Sequence, residues 1–531
     1  MLPQLPINIQ QKQSQVLNLA GINLSDNYGE GSMRDCLNMS SRRFPYFSTR
    51  KGRVLVEDYE DVTAVTSWDG LVVVSGTDLY YKGENVGVVT AGEKQFACIN
   101  TKIVIMPDKK CLDMRTKELS NMAALATFAT TVSTTAPAQD ATEQIMTVSG
   151  DVTSALSAFH NQDVVRITLN NDVFDLGFMK AELSGGNTKV YFKTGSAGNF
   201  FTRTYSSGTR KMERRVPDFD YICESNNRIW GCVSDEQTIY ASALGDPNNY
   251  YDYSGESTDS YAVAVGSAGN FTGCHKLGSS VLFFKEDTLH KIMGDYPSNY
   301  TIYSYSMDGV KDGCSKSMQV INEMLVYLSR NGVCMYSGGS TNHMSEALGN
   351  IKYSNGVSGT DGECYYLSCK DESDINHLFV MDIKKNMWIQ EDDVVASDFT
   401  NNGGELYMVN STDGKLYIVN KGKFEGNWFI QFNPIYESVK VGRGAQMLFN
   451  KKHFVKLILR LQIEKGHYCT VKYRCDDGRW EESCKILGKG EELISTVFAI
   501  NRCDKYELRL EGTGEFTLMG LARLYSTGSE K

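Results

Sequence analysis

The sequence predicts an all-β chain: a β-propeller of seven blades, carrying a small inserted β-rich module and followed by a β-sandwich. Three observations lead there. A strand, turn, strand unit returns along the chain, its copies fall at nearly constant intervals, and the C-terminal stretch alternates apolar and polar positions with period two. A repeat of a few tens of residues cannot bury its own apolar face, so the copies must stack, as four-stranded blades of roughly 40 to 50 residues do.

Two copies are unusually close. Asn227-Arg228-Ile229-Trp230-Gly231-Cys232 precedes Thr238-Ile239-Tyr240-Ala241-Ser242 and then Leu244-Gly245-Asp246-Pro247-Asn248-Asn249-Tyr250. Ser280-Val281-Leu282-Phe283-Phe284-Lys285 precedes Thr288-Leu289-His290-Lys291-Ile292-Met293 and then Gly294-Asp295-Tyr296-Pro297-Ser298-Asn299-Tyr300. Apolar strands with the same layout start near Leu71, Ile103, Leu325, Cys364 and Leu406. Along the series Leu71, Ile103, Ile229, Val281, Leu325, Cys364, Leu406 the steps are 32, 126, 52, 44, 39 and 42 residues. The long step must hold an insertion.

Composition places it. From Ala123 to about Thr135 the chain turns to Ala and Thr with almost no charge. Ile145-Met146-Thr147-Val148, Val164 to Leu169 and Lys189-Val190-Tyr191-Phe192 then alternate like half-buried strands, before charge returns at Arg210 to Arg215. The partition is therefore 1–53 as an N-terminal extension, 54–126 and 213–432 as the propeller, 127–212 as the inserted module, and 433–531 as the sandwich. A propeller closes when its last sheet is completed from the other end of the chain, and residues 50 to 66 are the expected source. In the C-terminal part, Phe454 to Ile463, Thr470 to Arg474, Leu493 to Phe498 and Tyr506 to Glu511 offer one core face and one solvent face, so 433–531 is expected to fold alone. Helix-period stretches are nearly absent; one short helix is expected between Val152 and His160.

The 531 residues include 48 Gly, 29 Tyr and only nine Pro, which suits many turns and half-buried strands, and the net charge is −10. No polybasic block exists, so broad phosphate binding is disfavoured, while a lumen through which DNA slides tolerates this sign. The local exception, Arg42-Arg43 to Arg50-Lys51-Gly52-Arg53, reads as a solvated or interface-packed segment ahead of a phosphate site. Fourteen cysteines without a C-x-x-C pair read as reduced, buried thiols of a protein assembled in a cytoplasm. The N-terminus lacks a signal-peptide pattern, and no segment approaches eighteen consecutive apolar residues, so no membrane span is expected.

Chemistry is sparse. The seven His (160, 275, 290, 343, 377, 453, 467) are isolated in sequence, without metal-ligand spacing, and each reads as a surface or packing residue. No nucleophile elbow, Walker loop or dinucleotide fingerprint occurs. Asp246, Asp252, Glu256 and Asp259 cluster near Tyr250, Tyr251, Tyr253 and Tyr261, the composition a glycosidase or sugar-binding groove needs, but the solvated-loop reading leads. Catalytic, cofactor-binding and metal residues are accordingly expected to be none. Arg228 and Trp230 share a strand face, so the guanidinium is expected against an indole or a neighbouring blade's carboxylate, fixing the angle between blades.

Residues 227–250, with Val281 to Glu286 and Leu289 to Ile292 after them, resemble a phrase of virion β-propeller proteins of tailed bacteriophages and prophages. Met33-Arg34-Asp35-Cys36-Leu37-Asn38-Met39 and Phe44-Pro45-Tyr46-Phe47-Ser48-Thr49-Arg50-Lys51-Gly52-Arg53 resemble the opening of such proteins. The likeness covers about 30 to 120 and 215 to 525, and carries no catalytic residues. It implies a structural subunit of the tail or head-to-tail assembly, present in several copies around the DNA path. Its partners would be other virion proteins, further copies of itself and DNA passing without sequence-specific contact; its location would be the virion, assembled in the host cytoplasm. The alternatives are a receptor- or glycan-binding tail protein and, behind it, a glycan-cleaving enzyme. Ser411-Thr412-Asp413-Gly414-Lys415-Leu416-Tyr417 is similar to the Asp-box turns of sialidase propellers, but the Asp-to-Gly spacing differs and the closing Trp is missing, so it reads as a hairpin turn.

Overall fold

The computed structural model describes residues 11–26, 28–29, 31–194, 198–436, 438–441, 444–447 and 452–527. Their regular structure is all strand, apart from four short 3-10 turns. The helix expected between Val152 and His160 is one such turn, Thr153–Leu156; flanked by Ser and Thr that compete for backbone bonds, it does not propagate. Two compact units form, Thr63–Ser315 and Met1–Val62 with Lys316–Lys531.

Seven sheets among the described residues have four antiparallel strands each. Each sequence marker lies on the second strand of its sheet: Leu71 on Gly70–Ser75, Ile103 on Lys102–Met106, Ile229 on Arg228–Val233, Val281 on Ser280–Lys285, Leu325 on Met324–Ser329, Cys364 on Cys364–Lys370 and Leu406 on Glu405–Asn410. Of these second strands Arg228–Val233 and Ser280–Lys285 are buried at every position and Lys102–Met106, Met324–Ser329 and Cys364–Lys370 at all but one, while Gly70–Ser75 and Glu405–Asn410 are half-buried. That is why they read as unbroken apolar runs rather than alternations. Adjacent sheets share cores: Trp230, Ile239, Phe283 and Ile292 belong to one cluster, with the Trp230 ring 5.1 Å from Tyr300 and 6.5 Å from Phe283 of the following sheet.

The last of the seven sheets is Ala396–Asn402, Glu405–Asn410 and Lys415–Ile418, and its fourth strand is Val54–Val56, paired through Leu416 opposite Val56 and Ile418 opposite Val54. The N-terminal part of the chain thus completes a sheet built near residue 400. Just before it, Gly52 passes so close to the following turn that a Cβ there would meet the Lys423 carbonyl oxygen at 2.4 Å, which only glycine avoids.

Between the second and third four-stranded sheets, eight strands from Ala124–Thr127 to Arg210–Arg214 form one continuous sheet path. They enclose a separate core that includes Val132, Met146, Ile167, Val190, Phe192 and Met212. Ala124 is the cross-strand partner of Arg214, so this module leaves and rejoins the chain at one place.

The C-terminal strands form two six-stranded sheets. One runs Met39–Ser40, Phe47–Thr49, Phe516–Thr527, Lys452–Ile463, Glu492–Cys503, with Gln11–Val16 also on Phe516–Thr527. The other runs Met33–Leu37, Asn427–Phe432, Lys505–Thr513, Tyr468–Cys475, Glu481–Leu487, with Ile435–Tyr436 beside Lys505–Thr513. The Trp428 and Phe516 rings stack at 3.8 Å and join the two. Here the structure departs from the sequence partition. Residues 1–53 supply four strands to these sheets, and Asn427–Phe432, ahead of 433, supplies another. The N-terminal strands are two to six residues long and interrupted by charge, too short to show a period.

Candidate functional site

The carboxylates and tyrosines of 246–261 lie on the long connection between Thr238–Ala241 and Tyr261–Ala264. Asp259 is buried and accepts hydrogen bonds from the N–H groups of Gly255 (2.6 Å) and Glu256 (3.0 Å) and from the Ser254 hydroxyl (2.9 Å). Asp246 accepts from the Asn248 N–H (2.9 Å) and the Asn249 amide. Burial and the Asp259 charge push the Asp252 carboxyl above its ordinary value. Tyr250 packs on Phe219 at 5.1 Å, and Arg215 lies over the Tyr251 ring at 4.0 Å. The group acts on its own backbone: acceptors turn inward and fix the shape of the connection.

Arg228 explains the other half of that loop. It is fully buried and donates to the carbonyl oxygens of Ser242 (2.7 Å), Ser257 (2.8 Å) and Asp259. The expected pairing with an indole or a neighbouring blade's carboxylate is replaced by this one, because a planar fork of five donors can take several convergent carbonyls at once. Trp230 packs on Tyr300 and Phe283 of the next sheet, its indole N–H on the Ser225 carbonyl at 3.2 Å.

At the root of the inserted module, Arg214 is 2 % and Asp163 5 % exposed, and they form a buried ion pair. The guanidinium also donates to the carbonyls of Met122 (2.7 Å), Asn121 (3.1 Å) and Ala158 (3.1 Å). Asn249, from the phrase 227–250, accepts the Val164 N–H at 2.9 Å. The module is therefore held at both its strand ends and its side.

The basic stretch is largely partnered. Arg53 contacts Glu391 (2.9 Å) and Asp392 (2.8 Å), Arg50 contacts Asp392 (3.2 Å) and the Asn38 amide oxygen (2.7 Å), and Arg42 pairs with Asp361 and the Tyr366 hydroxyl (3.0 Å). Burial opposes the Asp361 carboxylate, but the Cys364 N–H and the Arg42 charge outweigh it and hold the pKa below the ordinary value. These contacts clasp the N-terminal arm to Ser354–Thr360, Cys364–Lys370 and Met387–Asp392 and their turns. Two cations stand apart: Arg43 makes one bond, to the Thr517 hydroxyl oxygen at 2.8 Å, and Lys51 is exposed. Both line a cavity of about 310 Å³ between the arm and the C-terminal strands, whose walls also carry Ser48, Thr49, Gln462, Glu464, Glu515 and Thr517.

Sequence spacing missed two features. Cys334 and His343 are cross-strand partners with Sγ 3.5 Å from Nδ1, so that histidine is not isolated. Lys285 and His290, on paired strands, are both buried; Lys285 Nζ donates to the Ser267 carbonyl (2.7 Å) and the Gln237 amide oxygen, and the His290 ring lies between the hydroxyls of Ser267 (2.7 Å) and Ser304 (2.8 Å). The only early sign was a charge ending the apolar run 280–285. Burial and the Lys285 charge hold the His290 pKa down at about 4. An unfolded histidine titrates near 6.5, so the unfolded chain takes the proton first as pH falls. Stability from this site is full above about 6.5 and is lost towards 4, with a loss of about 3 kcal/mol. His290→Gln is expected to flatten that part of the pH dependence of the urea midpoint; an unchanged slope would count against it.

Asp413 accepts from the Lys415 N–H (3.0 Å) and the Tyr417 hydroxyl (2.7 Å) inside the turn between Glu405–Asn410 and Lys415–Ile418, as a hairpin turn does.

No family model and no curated protein matches the sequence. Solved structures similar to it include an exo-β-1,3-galactanase from Phanerochaete chrysosporium, at 9% identity over 56% of this chain and 92% of that chain with a TM-score of 0.21. They also include PorZ, a surface component of the type-IX secretion system of Porphyromonas gingivalis, at 9% identity over 91% and 80% with a TM-score of 0.28. At such scores neither likeness bears on fold or activity.

Proposed function

We propose that the chain is a structural virion protein of a tailed phage, a seven-bladed propeller with a C-terminal β-sandwich that works by assembly around the DNA path and catalyses no reaction. One observation carries this reading. The residues of the phrase that resembles virion propellers are buried and do mechanical work: Arg228 gathers three loop carbonyls, Trp230 packs on the next sheet, and Asn249 holds the inserted module. Seven four-stranded sheets and a last sheet completed by Val54–Val56 support the propeller part of the proposal. A net charge of −10 suits a surface past which DNA must move without sticking.

Quantitative mass spectrometry of purified particles tests it. The chain is expected at a copy number that is a fixed multiple of the tail symmetry. Particles lacking it that keep complete, DNA-filled, infectious tails would overturn the proposal.

A further inference from the structure

We propose that the cavity between the N-terminal arm and the C-terminal strands binds one acidic saccharide residue, of the hexuronic or sialic acid class. Its volume of about 310 Å³ is at the lower end of small-molecule sites and suits a single sugar ring. The chemistry of its walls narrows the class. Arg43 uses one guanidinium nitrogen on Thr517 and keeps the rest of its fork for a carboxylate, and exposed Lys51 supplies a second positive charge.

The same cavity holds two carboxylates, Glu464 and Glu515. The hydrogen bond from Lys423 at 2.5 Å holds the Glu464 pKa below its ordinary value, so this group is an acceptor at neutral pH. A bare phosphate or sulfate, all acceptor, has no hydrogen to donate to those glutamates. A sugar acid is not: its carboxylate faces the cations while its ring hydroxyls donate to the glutamates. A neutral sugar leaves the cations unused. Arg43, Lys51, Glu464 and Glu515 stand in the turns that adjoin the strands Met39–Ser40, Phe47–Thr49, Lys452–Ile463 and Phe516–Thr527.

The test titrates the full chain with methyl β-glucuronide and methyl α-sialoside, with methyl glucoside and inorganic phosphate as controls, by ligand-observed NMR and calorimetry. At least one acidic glycoside is expected to bind at least about tenfold more tightly than methyl glucoside, the difference one charged contact makes. The double variant Arg43→Gln, Lys51→Met should lose that preference with its thermal midpoint unchanged, since both side chains are exposed. Glu515→Gln should weaken the acidic glycoside and strengthen phosphate. Equal binding of methyl glucoside, tighter binding of phosphate than of either acid, insensitivity to the double variant, or no saturation by either acid would each overturn the proposal. The assembly role stands or falls separately, on particle composition.

Discussion

A chain that begins at residue 54 is expected to lose the folded C-terminal sheets altogether. The removed arm carries Val16, Leu19, Ile22, Met33, Cys36, Met39 and Phe47, all buried. At about 1.5 to 3 kcal/mol for each of the larger side chains, their removal costs on the order of 10 kcal/mol, comparable to the whole stability of a typical domain. Backbone pairing is lost as well. Asn427–Phe432 loses Met33–Leu37, and Phe516–Thr527 loses both Phe47–Thr49 and Gln11–Val16. The same argument reverses the expectation that 433–531 folds alone, because that fragment lacks the arm and also Trp428, whose ring covers Phe516. Urea unfolding followed by Trp fluorescence and far-UV circular dichroism measures the effect. A truncated chain with the midpoint of the intact one would show that the arm is dispensable.

Arg214→Met should free the inserted module from its seat. The substitution leaves Asp163 as a buried charge without its cation and releases the carbonyls of Asn121, Met122 and Ala158. Breaking a buried pair from one side costs about 3 to 5 kcal/mol, whereas replacing both members by apolar groups is often neutral. Amide exchange in 121–126 and 160–165 is therefore expected to speed up by about two to four orders of magnitude. The pair Arg214→Met, Asp163→Leu should recover much of the loss. If the single variant exchanged at the original rate, the pair would not be what holds the module.

What could be read from the sequence was what is local. The seven markers were legible because second strands buried on both faces produce runs such as Val281-Leu282-Phe283-Phe284, and the insertion was legible because its composition changes. The arm was not. Met33–Leu37 contains Arg34 and Asp35, and its partner Asn427–Phe432 lies almost four hundred residues on, so no window contains both. The basic stretch raised the right alternatives, solvated or packed, but nothing near Arg50 and Arg53 points to Glu391 and Asp392. The cavity was invisible for the same reason: one wall comes from 40–51 and the other from 462–517. The weight of Arg228 is legible in the sequence but its partners are not, since convergent carbonyls leave no trace in side-chain identity.

The arm also sets a timetable. Its strands are made long before their partners: the Phe516 N–H that binds the Thr49 hydroxyl belongs to a residue 467 positions later. At about 5 to 20 residues per second, the first strands wait roughly 25 to 90 s for the last. During that interval the edges of Phe47–Thr49 and Met33–Leu37 that face Phe516–Thr527 and Asn427–Phe432 wait unpaired, and loop closure over this distance is slow. The four-stranded sheets between them mature as synthesis proceeds, while the two six-stranded sheets are complete only once Phe516–Thr527 has been made. A nascent protein stopped anywhere before residue 516 presents the Phe47–Thr49 edge to whatever meets it first.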